Sequence, residues 1–181
     1  MNIPNLITLL RIILVPVVVI LLIQGYFLKA LIVFIIAGLS DALDGFLARV
    51  LNQQTVLGAY LDPIADKALL ASSFVTLSIL HIIPSWLAVI VISRDFIILL
   101  GISVLSIMSI TVEIRPTFIS KVTTGLQFIT VLLALSFKCL PWAIDGIWPL
   151  SFYWVTAFFT IVSGLNYMAR GMELINHDTK K

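Results

Sequence analysis

The chain has 181 residues, 61% of them hydrophobic and 11% charged, with eleven basic and nine acidic side chains and a net charge of +2. Soluble domains carry about 25% charged residues, and a mean hydropathy of +1.16 leaves too little polar surface to cover a fold in water. The composition excludes a disordered chain, a nucleic-acid-binding module and a soluble enzyme, and points to one integral membrane domain covering residues 1–181.

A helix needs about 20 mostly apolar residues to cross the hydrocarbon core. On that rule six spans are expected, at about 6–27, 31–49, 63–82, 85–109, 121–140 and 149–174. The first reads as a span and not a secretory signal, because its apolar run is long and no small-residue cleavage site follows. Pro16 should kink it. Gln24-Gly25-Tyr26 and Asn52-Gln53-Gln54 supply the next two breaks. Asp62 and Pro63 read as the N-cap and first residue of the third helix. Pro84-Ser85, Arg115-Pro116 and the stretch from Pro141 to Pro149 separate the remaining spans.

With six spans, Arg49, Arg115, Lys121, Arg170, Lys180 and Lys181 gather on the side of both termini, whereas Lys29 and Lys138 lie opposite. The positive-inside rule then places both termini in the cytoplasm. The single Cys139 excludes an internal disulfide, and His81 and His177 are too few for a Cys/His metal cluster. Both histidines read as interfacial or solvated, and the tryptophans as interfacial belts or packing.

Asp41, Asp44, Asp62 and Asp66 are four of the nine acids and fall within 26 residues, at the end of the second span and the start of the third. The first two are one helical turn apart, as are the last two, so each pair shares a helix face. Clustered carboxylates at membrane depth repel unless they are protonated or bind cations. Oxygen-only ligands suit Mg²⁺ or Mn²⁺, and two such ions about 3.5–4 Å apart would form a two-metal phosphoryl-transfer site. Gly45, Ala48 and Gly58 would allow close approach to the backbone, and Arg49 could pair with a phosphate, with Lys67 as a second cation nearby. A cation transporter is the rival reading, but it calls for acids spread through the membrane depth and a repeat, which this sequence lacks.

The run Asp41-Ala-Leu-Asp44-Gly45-Phe-Leu-Ala48-Arg49, followed after eight residues by Gly58, then Asp62 and Asp66, resembles the full signature of the CDP-alcohol phosphatidyltransferases. Asn2-Ile-Pro4-Asn5-Leu-Ile-Thr8-Leu-Leu-Arg11 is similar to that family's N-terminal segment. The resemblance implies an all-α fold of six membrane helices, a homodimer and a cytoplasm-facing site in a bacterial inner membrane. It implies that CDP-diacylglycerol donates a phosphatidyl group to an alcohol and releases CMP. Asp41, Asp44, Asp62 and Asp66 would then bind the metal ions. Gly45, Ala48, Arg49 and Gly58, with Asp41 and Asp44, would line the CDP-diacylglycerol pocket, and Asp66 would also be the catalytic base.

The acceptor is read from the second half. Chain length, the N-terminal segment and Ser163-Gly164-Leu165-Asn166-Tyr167 resemble the phosphatidylglycerophosphate synthases, whose acceptor is glycerol 3-phosphate. A phosphomonoester calls for a basic pocket, for which Arg94, Arg115 and Lys121 are the candidates. Arg94-Asp95 and Lys121-Val122-Thr123-Thr124 depart from the Arg-Glu and Lys-x-Lys-Thr of those synthases, and residues 115–122 resemble the cardiolipin synthases, whose acceptor is phosphatidylglycerol. Structural roles compete: Arg94-Asp95 as an intramembrane ion pair, Arg115 and Lys121 as positive-inside anchors, and Arg11 as a snorkelling residue.

Overall fold

The computed structural model describes the backbone of residues 3–50, 56–107, 118–139 and 147–178, and the side chains of residues 9–40, 65–101, 118–139 and 150–172. Among the described residues there are six helices and no strand: α1 (Ile3–Ile23), α2 (Phe27–Val50), α3 (Val56–Ile79), α4 (Ser85–Ile107), α5 (Phe118–Cys139) and α6 (Ile147–Asp178).

The breaks follow local chemistry. Pro4 lies in the first turn of α1, where a missing N–H costs nothing, while Pro16 lies inside the helix. α1 ends in a Schellman motif: Gly25 takes φ 77°, its N–H donates to the Leu22 carbonyl at 3.0 Å, and that of Tyr26 donates to Leu21 at 2.9 Å. α3 ends the same way, with His81 donating to Ser78 at 3.0 Å and Ile82 to Leu77 at 2.9 Å. Here the left-handed residue is His81 itself, at φ 56°.

One helix start differs from expectation. α3 begins at Val56, so Asp62 is not an N-cap and Pro63 lies within the helix. Val56, Leu57, Ala59, Tyr60 and Leu61 extend the apolar run upstream of the proline. In an apolar medium helix satisfies backbone groups that a loop would leave open, which outweighs the one bond that Pro63 cannot make.

The residues group into two compact units, Met1–Ser85 with Val131–Gly146, and Trp86–Thr130 with Ile147–Lys181. In the first, α1 packs on α2 and α3, which also touch each other. Its core is mainly apolar: Val18 and Leu22 from α1, Phe34 from α2, Leu69, Phe74 and Leu77 from α3, and Leu135 from α5 are buried, along with Arg11, Ser73 and Thr76.

The second unit is built differently. Leu87 and Val91 are buried on α4, and the Trp86 and Trp154 rings pack with centroids 4.8 Å apart and planes tilted by 32°. The α5–α6 seam, however, is polar, with Thr123, Gln127 and Thr130 facing Thr156, Thr160 and Ser163, all fully enclosed. Thr130 and Thr156 meet hydroxyl to hydroxyl at 2.8 Å, Gln127 Nε2 donates to Thr160 at 3.3 Å, and Thr123 donates to the Phe159 carbonyl at 3.1 Å. On the outside of α6 lie Trp154, Phe158, Ile161, Leu165, Met168 and Met172, all exposed. Polar residues in and large apolar residues out is the reverse of a water-soluble helix. Among the described residues one helix, Phe118–Cys139, is long and apolar enough to cross a membrane, with shorter apolar stretches at Leu9–Ile23 and Phe27–Ser40.

Candidate active site

Positions 41, 44, 45, 48 and 49 occupy the C-terminal part of α2, and positions 58, 62 and 66 the N-terminal half of α3. The helical backbone therefore keeps positions 41 and 44 one turn apart, and likewise 62 and 66. The side chains of Asp41, Asp44, Gly45, Ala48, Arg49, Gly58 and Asp62 lie outside the described residues, as does Arg115 altogether.

Asp66 is described, and it has a partner that sequence reasoning missed. Arg11 NH1 donates to Asp66 Oδ1 at 2.5 Å, joining α1 to α3 across 55 residues. The Arg11 side chain is 0% exposed and that of Asp66 35% exposed. Arg11 therefore does not snorkel. A signal was present: a guanidinium in the middle of an apolar helix needs an acid, and the chain has few to offer. The exposed side of Asp66 suits a hard divalent cation by its chemistry, being an oxygen donor whose other face is anchored. Lys67, next in sequence, is half-buried.

Arg94, in the second unit, is also buried. Its NH1 donates to Asp95 Oδ1 at 2.7 Å, while NH2 donates to Ser120 at 2.6 Å and to Ser163 at 2.7 Å. The Tyr167 ring lies 5.8 Å from the guanidinium carbon, within cation–π range. The network explains the spacing of Ser163, Gly164 and Tyr167: a Cβ at Gly164 would already touch Arg94 Cγ at 3.5 Å, so only small side chains leave the arginine in place. Arg94 Nε is enclosed without a partner. Lys121, in the first turn of α5 beside Ser120, is exposed. The two NH groups of Arg94 are thus committed to protein partners, while Lys121 is accessible.

The chain matches the CDP-alcohol phosphatidyltransferase family over residues 1–162, which includes every signature position. The chain belongs to that family. Human cardiolipin synthase (CMP-forming) is 36% identical over 190 residues, covering 96% of this chain and 63% of that protein. The rat protein of the same name is 35% identical with the same coverage. The CDP-diacylglycerol–glycerol-3-phosphate 3-phosphatidyltransferase of Bacillus subtilis is 33% identical over 192 residues, covering 96% of this chain and 97% of that protein. The chain thus spans less than two thirds of the mammalian relatives and nearly all of the bacterial one. The resemblance carried by Asp41 through Asp66 is borne out at the level of family.

Proposed function

We propose that the protein is an integral membrane phosphatidyltransferase that moves the phosphatidyl group of CDP-diacylglycerol to a glycerol-type hydroxyl and releases CMP. The observation that carries this reading is Asp66, a partly exposed carboxylate at the end of the signature, held from within by Arg11. Divalent cations, Mg²⁺ or Mn²⁺, bound by Asp41, Asp44, Asp62 and Asp66 would neutralise the diphosphate and stabilise the CMP leaving group. The rest falls to the chain. Asp66 accepts the proton of the acceptor hydroxyl as its oxygen attacks the phosphorus that carries diacylglycerol. The bond from that phosphorus to the CMP oxygen breaks, and CMP leaves with the electron pair. Arg49 pairs with the diphosphate, and Gly45, Ala48 and Gly58 let it approach the helix backbones.

A membrane location fits the substrate, because acyl chains can stay in lipid while cytidine and diphosphate need a polar cavity. The reversed polarity of α6, with Thr156, Thr160 and Ser163 inside and a stripe of large apolar residues outside, supports it. We place both termini and the site on the cytoplasmic side of a bacterial inner membrane and read the working form as a homodimer, following the basic loops and the resemblance.

For the acceptor our first reading is glycerol 3-phosphate, supported by the near full-length Bacillus relative and by exposed Lys121, with Arg115. Arg94 acts indirectly, by fixing Ser120 and so the first turn of α5 that carries Lys121. Phosphatidylglycerol is the second reading, favoured by the prior commitment of Arg94 to Asp95, which leaves fewer cations for a phosphomonoester. Purified protein offered CDP-diacylglycerol, Mg²⁺ or Mn²⁺, and each alcohol separately decides between them. CMP release with glycerol 3-phosphate is expected; release with phosphatidylglycerol alone would select the second reading, and none with any alcohol would end both.

A further inference from the structure

Arg11 sits in α1 among Leu9, Leu10, Ile12 and Ile13, all of which are exposed, yet its own side chain is completely enclosed. Around this position the helix turns its apolar residues outward and its single charge inward, on the face that also buries Val18 and Leu22. A guanidinium does not deprotonate in proteins, so this charge is enclosed permanently and requires a carboxylate. Among the described residues a carboxylate it meets is Asp66, on a different helix and 55 residues away. The pair is unsymmetrical, for the arginine is wholly inside while the aspartate keeps 35% of its side chain exposed.

That asymmetry distinguishes a brace from a positioning device. A brace between α1 and α3 works best with both partners enclosed, where Coulomb attraction is least screened. A base or cation ligand needs one face open to its target and the other held, since an unsupported aspartate on a helix has two side-chain torsions to choose from. The planar guanidinium fixes direction as well as charge, which a lysine ammonium does not. Ala65, adjacent to Asp66, is fully buried and so fixes the face that α3 presents there.

We propose that Arg11 is a positioning residue for the transfer reaction, holding Asp66 in the orientation from which it takes the acceptor proton and meets the cation. This rests on the phosphatidyltransferase reading above.

The test uses the full chain in lipid nanodiscs, comparing the unsubstituted protein with Arg11→Met and Arg11→Lys. Three quantities are read: kcat, KM for CDP-diacylglycerol, and Mn²⁺ binding by electron paramagnetic resonance. Misplacing a catalytic group costs about 100-fold, so kcat of Arg11→Met should fall by that factor with KM within about twofold. Arg11→Lys, which restores charge but not the fork, should recover about tenfold of the loss. Both variants should still bind Mn²⁺, because Asp41, Asp44 and Asp62 remain. A kcat for Arg11→Met within about threefold of the parent would overturn the inference, as would equal losses in both variants accompanied by loss of Mn²⁺ binding, the mark of a purely structural pair. Absence of CMP release from the parent protein is a different result, which would overturn the phosphatidyltransferase reading and this inference with it.

Discussion

Substituting Asp95 with leucine should destabilise the protein strongly, and removing Arg94 as well should restore most of the loss. Arg94 is 4% exposed and its carboxylate partner 11% exposed, with 2.7 Å between them. Breaking a buried pair by deleting one partner costs about 3–5 kcal/mol, because the remaining charge is left without compensation. Arg94 would keep its bonds to Ser120 and Ser163 and its Tyr167 contact, so the lower figure applies: about 3 kcal/mol, or on the order of 100-fold in the folded-to-unfolded ratio. Replacing a whole buried pair by apolar residues is close to neutral, so Arg94→Met with Asp95→Leu should lie within about 1 kcal/mol of the parent, a coupling of about 2 kcal/mol or more. The assay is reversible denaturant unfolding of each variant in mixed micelles, followed by CMP release. If Asp95→Leu costs less than about 1 kcal/mol, the value of a solvated pair, or if the two costs simply add, the buried network is not what holds α4, α5 and α6 here. Because Arg94 fixes Ser120 and with it the turn that carries Lys121, the double variant should raise the acceptor KM by about threefold, less than the loss of Lys121 itself; a rise well beyond about tenfold without loss of stability would make Arg94 a direct acceptor ligand.

Other outcomes can be measured alongside. Thr130 donates its only hydroxyl proton to the Leu126 carbonyl at 2.7 Å, so Thr156 must be the donor in their shared bond. Thr130→Val, which strands a donor, should therefore cost more than Thr156→Val, about 1 kcal/mol against about half that by double-mutant cycle in lipid; the reverse order would refute the assigned direction. His81→Gly should raise the melting temperature by about 1–4 °C, since glycine adopts a positive φ without the cost a side chain pays, whereas Gly25→Ala should lower it by a similar amount or more. Lys121→Ala should raise the KM for glycerol 3-phosphate about tenfold with little change in stability; an unchanged KM would make Lys121 a positive-inside anchor. Asp66→Asn should abolish CMP release, and near-normal turnover would remove Asp66 from the role of base.

Six helices, their approximate limits and the Asp41–Asp66 signature could all be read from the sequence, because each rests on local information. An apolar run long enough to need internal hydrogen bonds is helix wherever it lies, and spacing along one helix sets which signature positions share a face. Family membership followed from that spacing. The start of α3 was misread because Asp-Pro is a local helix-start signal, whereas the apolar run upstream of Pro63 carried the helix back to Val56. What only the tertiary structure decided are the pairings of charges distant in sequence: Arg11 with Asp66 across 55 residues, and Arg94 with Ser120 and Ser163 across 26 and 69. A sequence shows that a scarce charge in an apolar helix needs a partner. It does not show which partner, because that choice depends on which faces meet when the helices pack. The same packing separates the two arginines by role, giving one to the carboxylate at the end of the signature and the other to a network that leaves nearby Lys121 exposed.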